Sequence, residues 1–327
     1  MRGTVFVLYV FAAAAVAAED FPEYEPGGGI DGTLRSVGSD TMGPLLNGWA
    51  AAFKKLHPKA NIDIEARGSG TAPQPLNEGA SDLAPMSREM SAGERAGFEA
   101  QHGYLPTQFR VALDAVAVYV HKDNPLDGLT MEQVDGIFSQ SRACGGEPVI
   151  FWNQLGDDYP ANSRIEIVGR NRVSGTFEFF REHALCGGEF RDDYDDKNDS
   201  LNVVWEVATN ENAIGFAGIG FRTPNVKVLA LARTKDGPFV GVNVDDGSID
   251  TRNISDGKYP LARFVHIYVD KEPASELPEL ADEFMRFVLS ERGQEIVTRR
   301  WFIPVNARTA TEELEKLDAA YQPSWWE

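Results

Sequence analysis

The sequence predicts an α/β fold of two lobes, joined by two chain crossings around a ligand cleft. Segments with the period of strands alternate with segments of helical spacing, which favours an α/β architecture with largely parallel sheets. Two later strands, at residues 115–125 and 264–272, have the character of a matched pair, and the long segment between them has its own strand–helix alternation. That segment is long enough to be a domain inserted into the first one. The chain would then cross between the lobes twice, and such a hinge leaves a cleft that can close on a ligand.

The individual elements follow in chain order. Apolar residues recur at helical spacing from Leu45 to Leu56, and Gly103 is placed to end a second, surface helix. The stretch NIDIEARG alternates as a strand does. The predicted elements are a strand at 32–40, a helix at 44–58, a strand at 61–68, a surface helix at 93–103 and a C-terminal helix pair within 280–306.

The predicted lobe boundaries follow from the insertion. Residues 1–18 have the early arginine, apolar run and small residues of a secretory signal peptide, and residues 19–32 have the Pro, Gly and acid content of a flexible linker. The first lobe is predicted to contain residues 33–117 and 265–327, and the inserted second lobe residues 118–264.

The leader decides where the protein is expected. A retained membrane anchor is the alternative to a cleaved signal peptide, but the apolar core of the leader is short for a membrane span. No cysteine lies near the cleavage region, so a lipid anchor is not expected. We therefore predict a mature protein that is free in the periplasm.

Composition limits the classes of partner. The chain of 327 residues has a formal net charge of −19. A nucleic acid or an anionic membrane requires a cationic surface, so neither is expected as a partner. Net charge does not exclude a small anionic ligand that is held by local donors.

Export also bears on the two cysteines, Cys144 and Cys186. In an oxidising compartment they are predicted to form a disulfide, and each precedes Gly-Gly, which suggests two surface turns that meet. Two reduced thiols are the alternative. The sequence has no CxxC motif, which disfavours redox catalysis and a zinc site.

Four short segments place hydroxyl side chains at or near a helix start. Unpaired backbone N–H groups and the positive end of the helix dipole lie there, and glycine lets a ligand approach the backbone. Any one segment could be an ordinary helix N-cap, but four together predict an oxyanion site. The segments are GSDTMGP at 38–44, RGSGTAP at 67–73, MSREM at 86–90 and RVSGTFEFF at 172–180.

These segments resemble the PstS family of periplasmic phosphate-binding proteins, which deliver phosphate to ABC importers. The resemblance runs through almost all of the mature chain and is carried by GSDTMGPLLNGW, IEARGSGTAPQPLNEGASDLAPMSREM, IFSQ, FWNQLGD, GRNRVSGTFEFF, NAIGFAGIGF, YPLARFVHIYV and FVLSERGQEIV. It implies the two-lobed type II periplasmic binding fold, with dehydrated inorganic phosphate in the interlobe cleft. It also implies a monomeric binding protein that is not an enzyme, has no cofactor or metal, and acts with the membrane subunits of a phosphate permease.

The resemblance assigns ligand residues to four loops. Arg170 would be the main charge partner of the bound anion. The assigned residues are Ser39, Thr41 and Met42 in the first loop, Ser69, Gly70 and Thr71 in the second, Ser87 in the third, and Arg170, Ser174, Gly175 and Thr176 in the fourth.

Two positions depart from the family pattern. Ser87 stands where well-studied relatives have an aspartate that accepts the phosphate proton. Asp40 could take over that role or could be a solvated N-cap acid. Arg172 stands where those relatives have an acid that pairs with the binding arginine, so we expect a more positive cleft, with Arg172 either on the ligand or in solvent. Arg88 flanks a donor loop and is either a structural ion pair or a ligand.

Other functions stay open at this point. Without an acid at residue 87, another tetrahedral oxyanion such as sulfate, arsenate or molybdate is an alternative ligand. An exported phosphate sensor or scaffold without transport is a second alternative. A serine hydrolase is disfavoured, because neither Ser69 nor Ser174 stands in a G-x-S-x-G motif.

Overall fold

The computed structural model describes residues 20–242 and 249–321. The predicted signal peptide, residues 1–18, lies outside the described residues. Of the helices in the described ranges, none is both long and apolar enough to cross a membrane.

Strands and helices alternate along the described chain, as the sequence predicts. The strands are β1 (Asp31–Gly38), β2 (Lys59–Ala66), β3 (Ala84–Met86), β4 (Thr107–His121), β5 (Gly128–Thr130), β6 (Glu166–Arg170), β7 (Asp195–Lys197), β8 (Ala213–Gly218), β9 (Val226–Val228), β10 (Ala230–Ala232) and β11 (Ala262–Val269). The helices are α1 (Gly43–Leu56), α2 (Pro73–Asn77), α3 (Ala92–His102), α4 (Met131–Phe138), α5 (Gly175–Ala184), α6 (Ser200–Thr209), α7 (Arg252–Ser255), α8 (Glu279–Leu289), α9 (Glu291–Arg299) and α10 (Ala307–Glu315).

The two early helices begin and end for the reasons that the sequence indicates. In α1, Leu45, Trp49 and Phe53 form the buried stripe, and a proline lies in the first turn. Helix α3 starts with a capping box and ends at Gly103, which has a φ of 82°. Both predicted helices are confirmed.

The main sheet is mixed rather than largely parallel. It has seven strands in the order β3–β11–β4–β8–β6–β7, with β9 also paired to β4. Strand β6 pairs in parallel with β7 and β8, but β4 and β11 pair antiparallel with each other and with their other neighbours. The expectation of largely parallel sheets was wrong because the strand that leaves the first lobe and the strand that returns run in opposite directions.

Strand β4 carries the chain from one half of the molecule to the other. It pairs with β11 from Thr107 to Ala115 and with β8 from Val116 to Val120. The strands predicted at 115–125 and 264–272 are therefore neighbours in the sheet, but the predicted segments do not pair with each other, because β11 pairs with residues 107–115 and the following part of β4 pairs with β8 and β9. The first half of β4 alternates between buried and half-buried residues, so only its wholly buried second half has the appearance of a core strand in the sequence.

Two hydrophobic cores lie on either side of this crossing. One draws its buried residues from 115–261 together with Ile303. The other draws them from 24–112 and 265–317. The lobe boundaries at 117/118 and 264/265 stay predictions, and the sheet changes partners within a few residues of the first.

The segment predicted as a flexible linker is residues 19–32, and its described part, residues 20–32, is anchored in the structure. Tyr24 is buried, and its hydroxyl hydrogen-bonds to His57 and Glu283. Strand β1 already begins at Asp31. The Pro and Gly content gives no indication of this anchor, which depends on the buried side chains of Tyr24 and Ile30 and on the hydrogen bond from the Gly27 N–H to Glu283.

Cys144 and Cys186 form the predicted disulfide. Their Cα atoms are 5.3 Å apart, and 42 positions separate them in the sequence. Closing a loop of this length stabilises the fold by about 4 kcal/mol in the chain-entropy treatment.

Candidate anion-binding site

Hydroxyl residues follow the carboxyl ends of several strands, where ligands of α/β proteins bind. Thr41 lies between β1 and α1, Ser69 opens a 3-10 turn after β2, and Ser87 follows β3. Ser174 caps α5, and its Oγ accepts a hydrogen bond from the backbone N–H of Thr176 at 3.1 Å. All of these side chains are buried.

The start of α5 brings these loops together. Thr176 Oγ1 is 3.1 Å from Thr41 Oγ1, and Ser69 Oγ is 3.2 Å from Ser87 Oγ. A Cβ atom on Gly175 would lie 2.3 Å from Ser69 Oγ and 2.7 Å from Ser87 Oγ. The structure therefore gathers the hydroxyl groups of all four predicted loops around one helix start.

The cleft is closed at this point. The backbone N–H of Gly70 donates to the carbonyl oxygen of Val173 at 2.9 Å. Gly68 has a φ of 110°, and a Cβ atom there would lie 2.6 Å from the same carbonyl oxygen. Only glycine permits so close an approach of the two loops.

Arg170 ends β6 and is 1% exposed. Its Nη1 donates to Ser200 Oγ at 3.1 Å, and its Nη2 donates to the Asn198 carbonyl oxygen at 3.0 Å and to Asp40 Oδ2 at 2.5 Å. Its Nε is buried and has no hydrogen-bond partner among the described residues. The arginine is thus held rigidly, and one of its donors stays free for a ligand.

Asp40 is an acid of the cleft rather than a solvated N-cap. Its side chain is 16% exposed and pairs with Arg170 across the interlobe boundary. Its second oxygen, Oδ1, is buried without a partner within the described chain. The expectation of a more positive cleft was wrong, because Asp40 supplies from the first loop the acid that residue 172 lacks.

Sequence reasoning missed a second buried ion pair beside the site. Arg263 Nη2 donates to Asp114 Oδ2 at 2.7 Å and to Thr176 Oγ1 at 2.9 Å. Burial lowers the pKa of Arg263, and Asp114 opposes that shift. The available signal was one lone Asp or Arg within a largely apolar stretch of each crossover strand, VALDAVAVYV in β4 and LARFVHIYV at β11.

Comparison with known proteins identifies the family. Residues 24–292 match the model of the PBP superfamily domain. The PstS phosphate-binding protein of Pseudomonas aeruginosa is 45% identical over 313 residues, which are 94% of this chain and 94% of that protein. The chain belongs to the PstS family.

Two solved structures have the same fold as this chain. A phosphate ABC transporter substrate-binding protein with bound phosphate, from Clostridium perfringens, is 26% identical with a TM-score of 0.67, and the match covers 84% of this chain and 100% of that one. An ABC-type phosphate transport receptor from Vibrio cholerae shares the fold with a TM-score of 0.64 at 24% identity, over 83% of this chain and 99% of that one. The predicted type II periplasmic binding fold is confirmed.

Several residues that the PstS resemblance assigned to the ligand have other contacts. The N–H of Gly70 is used by Val173, and Thr71 Oγ1 donates to the Gly68 carbonyl oxygen at 2.8 Å. Met42 buries its side chain in the core formed by residues 24–112 and 265–317, and its N–H donates to Ser39 Oγ at 3.3 Å. These contacts stabilise the conformation of the loops, and they use the N–H of Gly70, the hydroxyl of Thr71, and the side chain and N–H of Met42.

The two remaining arginine candidates lie outside the hydroxyl cluster. Arg172 is 78% exposed and lies 3.8 Å from Glu189, so it points to solvent. Arg88 donates to both carboxylate oxygens of Glu94 at 2.7 Å. Burial opposes but does not cancel the effect of Glu94, which raises the pKa of Arg88. Arg88 is thus a structural ion pair.

The chemical groups at the site are hydrogen-bond donors and paired charges. Within residues 20–242 and 249–321, no group of three or more His, Cys, Asp or Glu side chains could hold a metal ion. Ser69 and Ser87 contact each other, and within the described residues neither hydrogen-bonds to a histidine. What the site offers is a closed set of hydroxyl donors, one arginine and one carboxylate.

Proposed function

We propose that this chain binds inorganic phosphate in its interlobe cleft and delivers it to the membrane subunits of an ABC importer. The observation that carries the proposal is the Arg170–Asp40 pair, which joins the two lobes and leaves one buried donor, Nε, and one buried acceptor, Oδ1, without partners. A protonated tetrahedral anion requires both kinds of group. The relatives named above are phosphate-binding proteins, which supports the same ligand.

The donors are sufficient for tight binding. Removing an anion from water costs tens of kcal/mol unless the site pairs it fully. Thr41, Ser69, Ser87 and Thr176 place their hydroxyls at the cleft, and Arg170 adds charge. At roughly 1.5–3 kcal/mol for each charge-assisted hydrogen bond, these groups support micromolar or tighter affinity.

Lobe closure is the proposed mechanism, and no bond is made or broken. The donors are divided between the lobes, so an anion held by Thr41, Ser69 and Ser87 recruits Arg170 and Thr176. The closed form is favoured by these additional contacts. In this proposal the protein is exported to the periplasm and acts as a monomer, and the disulfide suits an oxidising compartment.

Titration calorimetry of the mature, ligand-stripped protein at pH 7 tests the function. We expect one-to-one phosphate binding with micromolar or tighter affinity and no heat from sulfate. Equal binding of both anions would instead indicate a general oxyanion carrier. Heat from neither would contradict the proposal.

Asp40 is the proposed source of selectivity for phosphate. Sulfate has no proton at neutral pH, so its oxygens would face Asp40 Oδ1 with no hydrogen to share. Phosphate keeps a proton that Oδ1 can accept. A carboxylate in this loop can therefore replace the acid that the family pattern places at residue 87.

The Asp40→Asn variant tests this role. We expect phosphate affinity to fall roughly 10- to 150-fold, because a charged acceptor is lost. Sulfate binding should become measurable, because the amide can donate to it. Calorimetry with both anions is the measurement, and Asp82→Asn is the matched control, since Asp82 pairs with Arg35 in a partly exposed ion pair. An unchanged preference for phosphate in a folded Asp40→Asn protein would rule Asp40 out.

A further inference from the structure

Arg263 lies at the point where the two crossover strands meet. In β11 it stands directly opposite Asp114 of β4. Both side chains are 2% exposed. Nε and Nη2 of Arg263 both donate to Asp114 Oδ2, at 3.1 and 2.7 Å. Asp114 therefore fixes one edge of the guanidinium group and leaves Nη1 on the other side.

The same guanidinium reaches the hydroxyl cluster. Arg263 Nη2 donates to Thr176 Oγ1, which lies 3.1 Å from Thr41 Oγ1. Its Cζ atom lies 5.3 Å from the ring centre of Phe179 in α5. Arg263 is thus held by a crossover strand on one side and by the start of α5 on the other.

Nη1 of Arg263 is buried and has no hydrogen-bond partner within the described chain. An unpaired buried N–H group on a cation is strongly unfavourable, so a partner is expected. Arg170 Nε and Asp40 Oδ1 are in the same condition. Two cationic donors and one anionic acceptor together complement a tetrahedral anion that carries a proton.

Hydrogen bonds place these groups in one neighbourhood, because Arg170 pairs with Asp40, and the adjacent Thr41 lies 3.1 Å from the Thr176 hydroxyl to which Arg263 donates. The charges of Arg170 and Asp40 both act on Arg263, in addition to the larger effects of burial and Asp114. Although burial lowers the pKa of Arg263, an arginine stays protonated at neutral pH. Both arginines therefore present positive charge to the same part of the cleft.

We propose that Arg263 is a second arginine of the anion site, that its Nη1 donates to the bound oxyanion, and that Asp114 positions it. The inference rests on the proposed phosphate-binding function and adds a contact from the hinge itself. Arg170 contributes from the inserted segment, and the hydroxyls of Thr41, Ser69 and Ser87 come from the first part of the chain. With Arg263, the ligand is bound by both lobes and by the strand that connects them.

The main test uses the double variant Arg263→Met/Asp114→Asn, which removes both charges and leaves no buried charge unpaired. We expect phosphate affinity to fall roughly 10- to 150-fold in calorimetry. Arg110→Met is the matched control, because Arg110 lies in β4, pairs with Glu313 and covers the ring of Phe264. That variant should keep its affinity within about threefold of the wild type.

A spectroscopic measurement separates a ligand contact from strand packing. At saturating phosphate, the 31P resonance of the bound anion should move in the double variant and stay in place in Arg110→Met. Asp114→Asn alone should also move the resonance, because Asp114 aims the guanidinium, and it should reduce affinity less than the double variant does. Thermal unfolding establishes that each variant is folded.

The outcomes distinguish this inference from the function on which it rests. If the wild-type protein does not bind phosphate, the proposed function itself fails. If the wild type binds and the folded double variant has the same dissociation constant, Arg263 is not a ligand. Reduced affinity with an unchanged 31P resonance would show that Arg263 acts only through strand packing, which also overturns the proposal.

Discussion

Replacing Arg170 with alanine should weaken phosphate binding by about 2–4 kcal/mol, or roughly 30- to 900-fold. The side chain is 1% exposed, so its charge acts on the cleft without much screening by water. The substitution also leaves the carboxylate of Asp40 without its partner, and that carboxylate would then repel the anion. Both consequences reduce affinity, and titration calorimetry measures their sum.

Arg172 provides the matched control for this experiment. It lies two residues further along the same loop, but it is 78% exposed and its nearest acid is 3.8 Å away. Its charge is screened by solvent, so Arg172→Ala should change the dissociation constant by less than about threefold. Equal effects of the two substitutions would mean that phosphate affinity depends only on the net charge of this loop and that Arg170 does not contact the ligand.

The sequence predicts the parts of this site that depend on local pattern. Ser174 lies just before a run of apolar residues at helical spacing. A hydroxyl in that position caps the helix whatever the helix packs against. The same reasoning finds α1 from its buried stripe and ends α3 at Gly103. These features require only a few neighbouring residues, so a single sequence contains them.

The sequence does not predict the pairs that join distant segments. Asp40 and Arg170 are 130 positions apart, and Asp114 and Arg263 are 149 positions apart. Each charge alone is compatible with a solvated surface, and only the folded sheet brings its partner close. The relative direction of the two crossover strands cannot be predicted for the same reason, because strand pairing depends on contacts between distant segments and not on the pattern within one segment.

Gly175→Ala should weaken binding through closure rather than through a lost contact. The added Cβ would lie 2.3 Å from Ser69 Oγ and 2.7 Å from Ser87 Oγ, and these serines belong to the opposite side of the cleft. In an open form that clash is absent. Overpacking of this kind costs about 1–3 kcal/mol, so we expect roughly a 5- to 150-fold loss of phosphate affinity. Small-angle scattering at equal phosphate should show a larger open fraction than in the wild type.

Gly97→Ala is the control for this substitution. Gly97 is a helical glycine of α3 with nothing within 4 Å of an added Cβ, so the change should leave binding and scattering unaffected. Because a ligand shifts an equilibrium only by its differential affinity for the two states, a clash confined to the closed state must reduce apparent affinity by its own free energy.

The Arg170→Ala protein should differ from Gly175→Ala in one respect. The Gly175→Ala protein keeps every donor of the site, whereas the Arg170→Ala protein lacks one. Saturating phosphate should therefore close the Gly175→Ala protein fully and restore the wild-type scattering profile. If Gly175→Ala binds as the wild type does, the contact between α5 and the two serines does not belong to the phosphate-bound form.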